Sequence, residues 1–285
     1  MALRVLTWTF IIGISLILLI AVAIRFVDFS MSDEEVLSKF SGSKYQPEHK
    51  FFEVGHRTIH YVSVGDSSLP AVMFVHGSPG SWTDHINLLA DPDLQNSFYM
   101  ISLDRPGFGD SNVGEPERSL TNQANILAQI LSAEKKTAIL SGHSFGAPVV
   151  IKTAIDHPDL VQGLILVAGS VDPELEKTKW YQVPVDYQIL SWILPPAIYS
   201  TNEEILALKG ELEEMKPDWG KIEVPVSIIH GEKDKLVPVE NVDFVKQQLV
   251  ALKPEMIIVD SMNHFVPWSN PELIKAEIFR ISALK

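Results

Sequence analysis

The chain has 285 residues, no cysteine and a formal net charge of −13 at pH 7. The missing cysteines exclude disulfides, thiolate metal sites and a thiol nucleophile. The acidic balance argues against nucleic acid and anionic headgroups as partners.

Val5 to Ile24 is uncharged, interrupted only by Thr7, Trp8, Thr9, Gly13 and Ser15. As a helix rising about 1.5 Å per residue it would be about 30 Å long, matching a bilayer's hydrocarbon core. No polar face appears at helical spacing. Residues 1–30 are therefore expected to hold one transmembrane helix that anchors the chain. The alternative is a cleaved signal peptide, for which Ala21-Val22-Ala23 offers a small-x-small site, although the run exceeds the usual apolar length of about 7–15 residues. Arg4 and the α-amine lie before the run and Arg25 after it, which favours the amino terminus inside and the rest of the chain on the extracytoplasmic side.

Residues 31–50 are mixed and polar, with Ser41-Gly42-Ser43 and Pro47, and read as a tether that opens with a short amphipathic stretch. Phe51 to Val54 and Arg57 to Val64, parted by Gly55, predict a hairpin. Apolar runs at Ala71–Val75, Phe98–Leu103, Thr137–Leu140, Leu164–Val167, Val226–Ile229 and Met256–Val259 have the character of strands buried on both faces. Helical stripes at Leu120–Leu131 and Pro271–Ile281 alternate with them. The expected fold is α/β, a mostly parallel sheet with helices on both faces. Its core would comprise residues 51–170 and 222–285. Residues 171–221 carry no strand-like run; Trp180, Tyr181, Tyr187, Trp192 and Tyr199 precede an acidic helix from Asn202 to Met215. A structureless loop of that length would be unusual, so this segment is expected to be a helical lid over the strand ends.

Gly142-His143-Ser144-Phe145-Gly146 follows the strand at Thr137 and precedes a helical stretch at Ala147–Asp156. That strand–turn–helix context identifies a turn that lifts a serine hydroxyl above the sheet. Ser144 is the candidate nucleophile. It needs a base, and the base an orienting acid. His264 and Asp234 each follow a predicted strand, in the chain order Ser, Asp, His. Asp172 and Glu232 are rivals for the acid, since they too lie past strand ends. His76-Gly77-Ser78-Pro79-Gly80 follows the strand at Ala71, and a glycine-rich turn there lets N–H groups converge on an oxyanion. The donors named are the backbone N–H groups of Ser78 and Phe145; Pro79 has none. His76 has no partner at metal-ligand spacing and reads as a support for the loop. No metal or other cofactor is expected.

Over residues 51–281 the chain resembles the α/β-hydrolase superfamily. The resemblance rests on the segments around His76, Ser144, Asp234 and His264, and on Asp104-Arg105-Pro106-Gly107-Phe108-Gly109-Asp110-Ser111. In the family this last segment helps shape the pocket floor, a structural role. Relatives that open epoxides or remove halogens carry an aspartate where this chain has Ser144. Relatives that release N-terminal proline carry a second glycine where this chain has Ser78, and many have glycine in place of Asn263. The resemblance thus implies a membrane-anchored serine hydrolase that cleaves a small-molecule or lipid-like carboxylic ester or thioester through an acyl-enzyme. The alternatives are a carbon–carbon bond hydrolase or an aminopeptidase of the same fold, and, from another class, a membrane-tethered non-catalytic binding protein.

Overall fold

The computed structural model describes residues 31–177 and 194–284, with single positions between 8 and 23. The run Val5–Ile24 lies mostly outside the described residues, and among those no helix is long and apolar enough to cross a membrane.

Ser32 starts helix α1 (Asp33–Lys39) with a capping box, its hydroxyl accepting the Glu35 N–H while the Glu35 carboxylate accepts the Ser32 N–H at 3.0 Å. Val36 and the adjoining Phe40 are buried in the same apolar cluster as Phe74 and Leu88, so the stretch after the apolar run is docked rather than free. Strands β1 (Glu48–Val54) and β2 (Arg57–Val64) make the expected antiparallel hairpin, with Gly55 at a φ of +63° in its turn. There follow β3 (Ala71–Val75), a 3₁₀ turn (Trp82–His85), α2 (Ile86–Leu89), α3 (Pro92–Ser97), β4 (Tyr99–Leu103), α4 (Leu120–Ala133), β5 (Ala138–His143), α5 (Gly146–Asp156) and β6 (Val161–Val167). After α6 (Pro196–Met215) come β7 (Val226–Gly231), α7 (Asn241–Gln248), β8 (Glu255–Val259), α8 (Val266–Ser269) and α9 (Pro271–Ser282).

The eight strands form one sheet in the order β1-β2-β4-β3-β5-β6-β7-β8. From β4 to β8 all neighbours are parallel, while β2 is antiparallel to β1 and β4. One face carries α4–α7, through Leu127, Val150, Leu208 and Phe244; the other carries α1–α3 and α9, through Phe40, Leu94 and Ile278. Burial on both faces explains why β3 and β5–β7 read as unbroken apolar runs.

Of the segment expected as a lid, residues 178–193 lie outside the described residues. The acidic helix begins at Pro196 rather than Asn202, because Pro196 occupies the first turn, where its fixed φ suits the helix and its missing N–H costs nothing. Leu208, Leu212 and Met215 sink into the core on this helix.

His85 is buried, stacks on Phe74 at 5.1 Å, and its Nδ1 has no partner among the described residues. Burial pushes its pKa down to about 3. An unfolded histidine takes a proton near pH 6.5. Below that value the unfolded chain therefore binds a proton that the folded chain refuses, and stability falls as pH drops from about 6.5 toward 3. His85→Phe should lessen this loss by up to one proton's worth, about 1.4 kcal/mol per pH unit. Urea midpoints at pH 7, 5 and 4 measure it, and an unaltered slope in a folded variant would refute the neutral, buried assignment.

Candidate active site

The turn that carries the candidate nucleophile is built by close approach. Ser144 has a φ of +52°, in the left-handed region where a residue with a Cβ is strained by about 1–2 kcal/mol. It is pinned there: its N–H donates to Val167 O at 2.9 Å, and its carbonyl accepts the Ala147 and Ser170 N–H groups at 3.1 and 3.3 Å. A Cβ on Gly142 would run into the Gly146 carbonyl, and one on Gly146 into the Val75 carbonyl. These two glycines let β5 turn back over β3 into α5. A Cβ on Gly77 would lie 3.0 Å from the Ser144 Cβ, so the loop after β3 touches the serine.

The candidate acid and base come from the strands beyond β6. Asp234 follows β7 and His264 follows β8, and His264 Nδ1 lies 2.7 Å from Asp234 Oδ2. Burial alone would raise the Asp234 pKa. Hydrogen bonds from His230, from His264 and from the Val237 N–H outweigh it and hold the carboxyl well below the ordinary range. The ionised acid thus accepts a hydrogen bond from the Nδ1–H of His264 and leaves Nε2 as the basic nitrogen. The rival acids are occupied elsewhere or exposed. Asp172 caps the Glu174 N–H at 2.9 Å, and Glu232 lies in solvent.

His143, next to the serine, joins these two halves. Its Nε2–H donates to the His264 carbonyl at 3.0 Å, and the two rings are 4.8 Å apart. Burial, then the neighbouring His264, pushes its pKa down to about 3, so it is neutral at physiological pH.

Of the two expected oxyanion donors, Phe145 follows Ser144 in the chain and Ser78 follows Gly77, whose position packs against the Ser144 Cβ. Phe145 is the N-cap residue of α5, and neither its N–H nor that of Ser78 hydrogen-bonds among the described residues. The loop that carries Ser78 rests on Arg105, which is completely buried. The Arg105 backbone N–H donates to His76 Nε2 at 2.9 Å, confirming His76 as a support. The guanidinium donates to His76 O at 2.9 Å, Gly77 O at 2.7 Å and Ser78 Oγ at 2.6 Å. Its counter-ion is Glu204 of α6, at 2.6 and 3.1 Å, itself completely buried and also bound by Ser78 Oγ at 2.5 Å and Gln123 Nε2 at 3.0 Å. Sequence reasoning gave Arg105 a structural role and left Glu204 unmarked within the acidic helix from Asn202 to Met215. The available signal was its position: Ser200, Glu204, Leu208 and Leu212 recur every fourth residue and form the helix's inner face.

His60, Asp104 and Asp110 bring potential metal ligands within 4.8 Å of one another. The ligand atoms of His60 and Asp104 are already engaged. His60 Nδ1 bonds Asp104 Oδ2 at 2.7 Å, His60 Nε2 meets His49 at 2.9 Å, and Asp104 accepts the Trp82 and Asp110 N–H groups at 2.7 and 3.0 Å. The cluster braces the loop leading to Arg105.

A family model described as the alpha/beta hydrolase fold matches residues 70–190. YugF, an uncharacterized hydrolase of Bacillus subtilis, is 25% identical over 262 residues, covering 77% of this chain and 91% of that protein. Epoxide hydrolase 3 of Mus musculus is 21% identical over 264 residues, covering 75% and 71%. Among solved structures, a membrane phospholipase A described as a bacterial virulence factor superposes with a TM-score of 0.64 at 18% identity, covering 96% of this chain and 98% of that one. The 2-hydroxy-6-oxo-6-phenylhexa-2,4-dienoate hydrolase of Rhodococcus sp. strain RHA1 gives 0.65 at 16%, covering 84% and 100%. The shared architecture is the α/β-hydrolase fold.

The pairing of Asp234 with His264 predicts unequal effects of two like substitutions. Asp234→Asn, which favours the wrong tautomer of His264, should lower kcat by about 10⁴. Asp172→Asn should change it by less than about threefold. Steady-state kinetics on the two variants decide; equal losses would remove Asp234 from its role.

Proposed function

We propose that this chain, a hydrolase of the α/β-hydrolase superfamily, cleaves a carboxylic ester or thioester through an acyl-enzyme on Ser144. The observation that carries this reading is the 2.7 Å bond between Asp234 and His264, at the same edge of the sheet as a serine strained to a φ of +52°, whose neighbour His143 bonds the His264 carbonyl. In the proposed reaction His264 Nε2 takes the Ser144 proton as the hydroxyl oxygen attacks the carbonyl carbon. The carbonyl oxygen becomes an oxyanion before the N–H groups of Ser78 and Phe145. Its electrons return to expel the alcohol or thiol, which receives the proton from His264. Water, deprotonated by His264 in turn, releases the acid. Asp234 holds the ring orientation and favours the imidazolium that forms twice in the cycle.

An apolar substrate portion is supported by the rim beside His264, where Phe265 and Trp268 pack edge to face at 5.8 Å yet stay 52% and 40% exposed. A membrane location would bring lipid-derived esters to that rim. It is supported by the uncharged run at Val5–Ile24 and by its described side chains Trp8, Ile12, Leu16 and Leu19, which are helical and exposed.

Two experiments test these proposals. Ser144→Ala should abolish labelling by a fluorophosphonate and lower kcat toward p-nitrophenyl esters by about 10⁶; undiminished labelling of the folded variant would reject the nucleophile. Carbonate extraction should leave the full chain in the membrane pellet. A mature protein that begins at Ile24 and stays in the supernatant would instead identify a cleaved signal peptide.

A further inference from the structure

We infer that Arg105 and Glu204 are positioning residues: through the Gly77 carbonyl and the Ser78 hydroxyl they aim the Ser78 N–H at the developing oxyanion, so that the inserted helix α6 helps to set the rate of the reaction. The inference rests on the serine-hydrolase reading proposed above.

The Gly77 carbonyl and the Ser78 N–H belong to one planar unit and point in opposite directions. Gly77 O is fixed by two donors, Arg105 Nη2 at 2.7 Å and His76 Nδ1 at 2.6 Å. Holding the carbonyl toward the buried guanidinium turns the Ser78 N–H away from it, in a loop that packs against the Ser144 Cβ. The Ser78 hydroxyl is held on the buried side as well, by Arg105 at 2.6 Å and Glu204 at 2.5 Å. Both handles on this residue are occupied, and its N–H is the group left over.

Arg105 cannot do this alone. A guanidinium sealed from water needs a counter-charge, and its five donors must be satisfied to fix its plane. Glu204 supplies the charge in a two-pronged contact, and Gln123 fills a further position at 3.0 Å. Glu204 belongs to the segment inserted between β6 and β7. Further bonds hold that helix to the loop before α4: Ser200 Oγ donates to Gly107 O at 2.9 Å, and the Leu120 N–H donates to Glu211 at 2.7 Å. Of these contacts, the one at Glu204 reaches the oxyanion loop, both through Arg105 and directly at Ser78 Oγ.

The test uses the full chain, a p-nitrophenyl ester, and an alkylboronic acid that adds to Ser144 and presents a negative oxygen to the N–H groups. Glu204→Gln keeps the shape and removes the charge. The double variant Arg105→Met/Glu204→Leu removes the fork while filling the buried space with apolar groups, a change that folded proteins tolerate. Glu211→Gln weakens helix docking without touching Arg105. In the first two variants kcat should fall roughly 10- to 100-fold, less than the 10²–10³ for outright loss of a donor. KM should stay within about twofold, and boronate affinity should fall in step with kcat. Glu211→Gln should stay within about twofold in all three. A folded double variant with wild-type kcat and boronate affinity would overturn the inference and reduce the pair to packing. Equal losses in Glu211→Gln would overturn it too, since helix docking in general would be responsible. A wild-type protein that neither labels with fluorophosphonate nor cleaves the ester would instead overturn the serine-hydrolase reading and carry this inference down with it.

Discussion

The site depends on how closely two neighbouring loops approach at the carboxyl edge of the sheet. β3 and β5 are adjacent and parallel, so the chain leaving each emerges at the same edge. One exit must rise into α5 and the other must cross beside it. Gly146 lies against the Val75 carbonyl, Gly142 against Gly146, and Gly77 against Ser144. At Gly142 and Gly146 a single added methyl group would force backbone apart. At Gly77 it would crowd the nucleophile. The strain at Ser144 is tolerated because its N–H and carbonyl are both bonded, to the chain after β6 and to α5.

Much of this was legible in the sequence for one reason. Strands covered on both faces must be apolar throughout, so β3 and β5–β7 show as unbroken runs, and motifs at their ends are positioned automatically. Edge strand β8 was legible from its aliphatic content, although Met256 and Ile258 are exposed on it. The short helices α2, α3 and α8 were not. Four to six residues are too few for a helical period to appear, and tertiary packing decides their conformation. Chain order favoured Asp234 over Asp172 in sequence, although both follow strands. In three dimensions the loop after β7 folds its own Leu236 and Val237 N–H groups onto the Asp234 carboxylate while His264 reaches it from β8.

The Arg105–Glu204 pair was illegible for a different reason. Its partners are 99 residues apart, and each has an ordinary local explanation, one as part of a glycine-rich loop and one as an acid on an acidic helix. Nothing local marks the pair. Only the inner-face register of Glu204 departs from what a solvated acid would show. Once made, the contact is hard to lose on either side, because removing one partner of a buried pair leaves an uncompensated charge at a cost of about 3–5 kcal/mol. The core and its insertion are therefore registered to each other by charge as well as by the apolar contacts of Leu208 and Leu212.

That compensation also bears on the chemistry. An unpaired guanidinium behind the Ser78 loop would attract any anion, including a carboxylate product, whether or not a reaction was in progress. Neutralised by Glu204, Arg105 contributes orientation and little net field. Nearby, burial keeps His143 neutral, and His76 is pushed well below its usual range by burial first and by the Arg105 charge second. In the proposed reaction, what then faces the carbonyl is a pair of backbone dipoles, and the nearest full charge in the proposed acid–base relay is the Asp234 carboxylate. Fixed dipoles bind a neutral carbonyl weakly and an oxyanion strongly. The stabilisation therefore appears as charge develops, and binding energy of that kind raises kcat rather than merely lowering KM.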